Sequence, residues 1–80
     1  MPRLTPVHWQ VLECIFENDG WAFERQRGSH RSYTKPGKLR PLIIQAHREV
    51  DPAAIKSLIR QSGMTRERYF ELLEVCKKRK

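Results

Sequence analysis

A histidine set among arginines occupies the middle of this 80-residue chain: Arg25, Gln26, Arg27, Gly28, Ser29, His30, Arg31, Ser32 and Tyr33 follow one another. A neutral imidazole can accept a hydroxyl proton, and an imidazolium can return one to a leaving oxygen. Guanidinium groups can brace the charge that builds on a reacting phosphate, each fork touching two oxygens at once. These are the parts that cleavage of RNA through its 2′-hydroxyl needs when no metal takes part. His30 is therefore the expected general base and acid, with Arg25, Arg27, Arg31 and Lys35 as the expected contacts to the RNA strand. Gly28 and Ser29 belong to the same contact surface, because Gly28 permits φ > 0 and lets the chain reverse tightly just before His30.

The charge pattern supports a polyanionic partner. The chain carries a formal net charge of +7, and Arg25, Arg27, Arg31, Lys35, Lys38 and Arg40 stand together with no acidic residue among them. Three histidines and two cysteines are spread along the chain without metal-ligand spacing, so no metal and no other cofactor is expected. Cys14 and Cys76 fall at apolar helical positions, and nothing near the N-terminus reads as a secretion signal or a membrane segment. Both are expected as packed core thiols with no structural disulfide, in a cytoplasmic protein. The Lys77-Lys78-Arg79-Lys80 run is expected to be a mobile basic tail on a single domain spanning residues 1–80.

The elements that must hold His30 follow from periodicity. Thr5 and Pro6 form a cap and first-position pair for a helix reaching about Asn18, with Val7, Val11, Leu12, Ile15 and Phe16 as its apolar stripe and Glu13 and Glu17 away from it. His8 and Trp9, in its first turns, are expected to have structural or surface roles. Gly20 ends the helix. From Trp21 the period becomes two, predicting a strand with Trp21, Phe23 and Arg25 on one face and the aromatic face inward. A returning strand places Tyr33 toward the core and His30, Ser32 and Thr34 on the opposite side. Lys35-Pro36-Gly37-Lys38 has the composition of a type II turn. A third strand, from about Leu39 to Ala46, then puts Leu42, Ile44 and Ala46 inward, and Ile43, Gln45 and His47 outward beside His30. His47 is thus a possible accessory to the site. Asp51-Pro52 starts a second helix with Ala54, Ile55, Leu58 and Ile59 inward, closed by Gly63. Thr65 caps a short third helix with Phe70, Leu73 and Cys76 as its stripe. The order is that of an α+β layer: helix, three-stranded antiparallel sheet, helix, short C-terminal helix.

The Gly28-Ser29-His30 hairpin after Gly20-Trp21, the Lys35-Pro36-Gly37 turn, the apolar strand ending near His47 and the run from Ile55 to Met64 together resemble the HicA (YcfA-like) toxins. The likeness extends from about Thr5 to Leu73. It implies a double-stranded-RNA-binding-domain-like fold, an mRNA interferase activity with the histidine of the hairpin, here His30, as catalytic residue, and neutralisation by a HicB antitoxin. Many members carry a proline two residues before the second histidine, where this chain has Gln45, which weakens the transfer of a role to His47. Two other readings compete. A basic sheet could bind RNA without cleaving it. The helices on either side of Gly63 could form a DNA-binding helix-turn-helix, although the second of them carries Glu67, Glu71 and Glu74.

Overall fold

The computed structural model describes residues 3–77. Six elements follow in chain order: α1 (Trp9–Asn18), β1 (Ala22–Arg27), β2 (His30–Thr34), β3 (Leu42–Gln45), α2 (Pro52–Ser62) and α3 (Arg66–Cys76). The strands form one antiparallel sheet in the order β1-β2-β3. One core joins the sheet to all three helices; Leu12, Ile15 and Phe16 of α1, Tyr33, Leu42 and Ile44 of the sheet, and Ile55 of α2 are fully enclosed in it. The architecture is α+β and compatible with a double-stranded-RNA-binding-domain-like fold, as expected. Of the expected basic tail, residues 78–80 lie outside the described residues, while Lys77 caps α3 and pairs with Glu74.

The first helix begins later than its Thr5-Pro6 signal suggested. Val7 instead forms an isolated antiparallel bridge with Val50, its N–H and C=O both engaged there. The Trp9 N–H donates to the carbonyl of His47. Long-range pairing thus holds this segment extended, and His8 serves as the cap, its Nδ1 accepting from the Gln10 N–H at 3.1 Å. At the other end the Trp21 N–H reaches the Phe16 carbonyl and the Gly20 N–H the Glu17 carbonyl, a Schellman pair that requires the left-handed Gly20 at φ 98°.

The second half follows its local signals closely. Asp51 caps α2 with Pro52 at its first position, Gly63 ends it at φ 78°, and Thr65 caps α3. The Lys35–Lys38 turn closes with a 3.0 Å hydrogen bond around Gly37 at φ 83°. Two stripes differ from expectation. Ala54 is exposed, and the buried face of α3 is Tyr69, Leu72 and Cys76, with Phe70 and Leu73 packed beside it. The Tyr69 ring is buried enough that its hydroxyl pKa is pushed up to about 12. α3 also matches α2 in length, 11 residues each.

The two cysteines occupy the core, as expected, but they are bonded to one another, which corrects the expectation of free thiols. α1 and α3 pack side by side, and this brings Cys14 and Cys76 to a Cα separation of 5.7 Å across 62 residues of sequence. No local motif could announce a pairing made by two helices from opposite ends of the chain. Closing a loop of this length stabilises a fold by roughly 4 kcal/mol, a large fraction of what a small domain possesses. Reduction, or Cys14→Ser with Cys76→Ser, should therefore lower the melting temperature by more than about 10 °C. Differential scanning calorimetry with and without reductant reads this directly, and an unchanged transition would show that α1–α3 packing alone secures the interface.

Candidate active site

The register of the sheet decides what stands beside His30. Phe23 pairs with Tyr33, but Arg25 pairs with Ser32, so β1 advances two residues while β2 advances one. Glu24 is the extra residue of a β-bulge. Plain alternation would have put Phe23 and Arg25 on one face, as the sequence suggested. The bulge separates them: Phe23 stays on the face of Tyr33, though exposed at that edge and not buried as the sequence suggested, and Arg25 turns out with Ser32. From there Arg27, His30 and Gln45 form one cross-strand row on the outer face, and Arg25, Ser32 and Ile43 the next. Directly opposed residues in such rows have Cβ atoms about 5 Å apart. The turn above them is two residues long, Gly28 at φ 57° followed by Ser29 at negative φ, as a II′ hairpin requires. The Ser29 carbonyl accepts the Ala46 N–H at 2.7 Å, which ties the turn to the end of β3.

His30 is exposed, and its imidazole makes no hydrogen bond or ion pair among the described residues; the same holds for the side chains of Arg25, Arg27, Gln45 and His47. The site therefore presents two unpaired guanidinium groups and an unpaired imidazole on one open surface. His47 lies past the end of β3, where an N–H to the Gln45 carbonyl breaks the alternation, and its side chain lines a groove with Ile43 and Gln45 rather than continuing the row.

Two of the expected contacts are elsewhere. Lys35 follows the far end of β2, about 17 Å along the strand from His30, with its ammonium 3.4 Å from Asp19. Arg31 points to the helix side. Its guanidinium donates to Glu13 Oε2 of α1 at 2.6 Å, to the Tyr33 hydroxyl at 2.9 Å and to Gln26 Oε1 at 2.6 Å. It also lies 4.2 Å from the centre of the Phe23 ring and 4.6 Å from that of Trp9. Burial opposes its charge, but the hydrogen bonds to Tyr33 and Glu13 outweigh that and raise its pKa. Burial acts in the opposite sense on the Tyr33 hydroxyl and raises its pKa; that hydroxyl donates to Glu13 at 2.7 Å. Glu13 was expected away from the packed face of α1; it faces the sheet because Arg31 and Tyr33 give its carboxylate partners there. Gln26 passes the network on, donating to the Gly28 carbonyl at 2.8 Å. These positioning groups, Glu13, Gln26, Trp9 and Phe23, left no local sequence signal, since their meeting depends on the bulge and on how α1 crosses the sheet.

Among the described residues no three His, Cys, Asp or Glu side chains converge to hold a metal ion. The chemistry the face itself offers is proton transfer at His30 and anion binding at Arg25 and Arg27.

Removing one partner of the Glu13–Arg31 pair leaves the other charge in a half-enclosed site. Arg31→Gln should cost roughly 2 kcal/mol in urea unfolding, whereas Arg25→Gln and Arg27→Gln should change stability by less than about 0.5 kcal/mol. Equal losses for all three would place Arg31 in solvent with the others.

A search of curated proteins found no match to this chain. A family model described as the HicA toxin of bacterial toxin-antitoxin matches residues 9–64, a span that contains α1, the whole sheet and α2. With the hairpin histidine, the sheet behind it and that match over most of its length, the chain belongs to the HicA toxin family of bacterial toxin–antitoxin systems.

Proposed function

We propose that this toxin is an mRNA interferase, a metal-independent endoribonuclease in which His30 takes the 2′-hydroxyl proton and returns a proton to the leaving 5′-oxygen. The observation that carries this reading is the row Arg27–His30–Gln45 on an open sheet face, with the imidazole unpaired and Arg25 one row away. An exposed sheet face admits a single strand, and the two arginines supply charge where the pentavalent phosphorane would form. Gly28 and Ser29 bring backbone to the same point. Arg31 acts in this scheme as a positioning residue, its guanidinium being spent on Glu13, Tyr33 and Gln26. Lys35 stands too far from His30 to touch the same phosphate, and would contact the strand only further along.

The partner is a HicB-like antitoxin that covers the basic hairpin face, and the working compartment is the cytoplasm, where mRNA is found. In such a reducing compartment the Cys14–Cys76 bond would open, and the α1–α3 interface would then rest on its apolar contacts.

Digestion of a defined single-stranded RNA should proceed in EDTA and stop in His30→Ala, with that variant keeping its melting temperature and its affinity for RNA. Cleavage that disappears on chelation and returns with Mg²⁺ would refute the mechanism. Cleavage undiminished in His30→Ala would leave an RNA-binding module with a contaminating nuclease.

The division of binding energy is a separate test. Log affinity should fall linearly with log salt, by about 0.7 per phosphate contact for a single strand. Arg25→Gln or Arg27→Gln should make that slope shallower by about one contact. Arg68, which already has Asp19 at 3.8 Å, should leave it unchanged when replaced. A salt dependence carried by Arg68 would move the nucleic-acid surface to α3 and favour a helix-turn-helix reading.

A further inference from the structure

We infer that the groove between the outer side of β3 and α2 is a subsite for one unpaired nucleobase of the RNA strand, next to the phosphate held at His30. The inference rests on the endoribonuclease reading and extends it to what the enzyme selects. The groove has a volume of about 180 Å³, and its β3 wall contains Gln45, the cross-strand partner of His30. A strand whose phosphate lies at Arg27 and His30 thus has this hollow beside it on the same sheet face.

The lining has the chemistry of a base site and not of a phosphate site. Ile43 is 40% exposed and offers an apolar surface for a ring face to lie on. Gln45 presents an amide with no partner, a donor and an acceptor fixed side by side, the pair that reads a base edge. Across from it Gln61 donates through Nε2 to Ser57 Oγ at 2.8 Å, which leaves its amide oxygen and the serine hydroxyl proton available.

Charge sharpens the distinction. In a chain of net charge +7, no lysine or arginine among the described residues lines this groove, while Glu49 and Asp51 do. The Asp51 carboxylate caps α2 through the Ala54 N–H. Two carboxylates repel a phosphate but not a neutral ring, and they favour an edge that donates hydrogen bonds. The arginine row and the groove therefore divide one nucleotide between them, phosphate on the first and base in the second.

The test uses a short 2′-O-methyl RNA, which lacks the attacking hydroxyl, and a series in which each position in turn is abasic. Fluorescence anisotropy with the wild-type protein should show one abasic position weakening binding about tenfold or more. Gln45→Ala and Ile43→Ala should bind the intact strand with that same reduced affinity and no longer respond to that abasic position. Both side chains are exposed, so the variants should keep the wild-type melting temperature. A flat abasic profile in a protein that binds and cleaves RNA would overturn the subsite and leave the endoribonuclease reading intact. A single sensitive position that persists in both variants would put the base elsewhere and also overturn it. A flat profile with Gln45→Ala weakening the antitoxin complex instead would assign the groove to the antitoxin. Absence of any RNA binding would remove the subsite and the proposed activity together.

Discussion

The Arg31 guanidinium, held between the Trp9 and Phe23 rings and against the Glu13 carboxylate, is the joint between α1 and the sheet. Its environment is unusual for a charge. The aromatic faces present negative quadrupoles, the carboxylate supplies a full opposite charge, and the Tyr33 hydroxyl and the Gln26 amide oxygen each accept one further N–H. Such a cluster is costly unless complete, because each missing member strands a charge or a donor in a half-enclosed site. Its contacts tie α1 to β2, and through Gln26 and the Gly28 carbonyl they also hold the hairpin tip. The turn that precedes His30 is therefore anchored from behind, on the face opposite the one that meets solvent.

The bulge at Glu24 complements this anchor. A regular β1 would carry Phe23 and Arg25 on the same face, and no register could then serve both the Arg31 cluster and the outer surface. Inserting one residue lets Phe23 close over Arg31 while Arg25 and Arg27 both turn outward. The hairpin thus separates its arginines by role. Arg31 spends its charge on the fold, and Arg25 and Arg27 keep theirs unpaired. Sorting of this kind follows from strand geometry, since neighbouring residues on β2 must face opposite ways and His30 and Arg31 are neighbours.

What could be read from the chain divides along the same line. Element order, the caps at Asp51, Thr65 and Gly63, the Gly37 turn, and the inward set Tyr33, Leu42 and Ile44 follow from local chemistry and period, and the structure has them. The outward direction of His30 was legible for the same reason, as three positions from Tyr33 on one strand. The failures at Val7, Cys14 and Arg31 involve residues distant in sequence. Val7 left the first helix because Val50 offered it a bridge. Cys14 met Cys76 because α1 and α3 lie together. Arg31 counted as one more basic residue because Glu13 and Trp9 are a helix away. Composition registers that a positive charge is present; only the tertiary structure says whether it is already neutralised.

An imidazole with no partner is also an imidazole with no fixed orientation, and that bears on how such a site would work. In catalytic sites where a carboxylate or carbonyl holds the second ring nitrogen, tautomer and direction are set before substrate arrives. Here nothing among the described residues holds His30, although the strand beneath it is rigidly placed by ladder hydrogen bonds and by the Arg31 cluster. Under the proposed mechanism the missing constraint comes from the substrate: a phosphate drawn to Arg25 and Arg27 would bring its own oxygens to the ring and orient it. Binding and catalysis are then one event on one surface, so any partner that lies over the hairpin removes both at once, without needing to reach into a pocket or distort the fold.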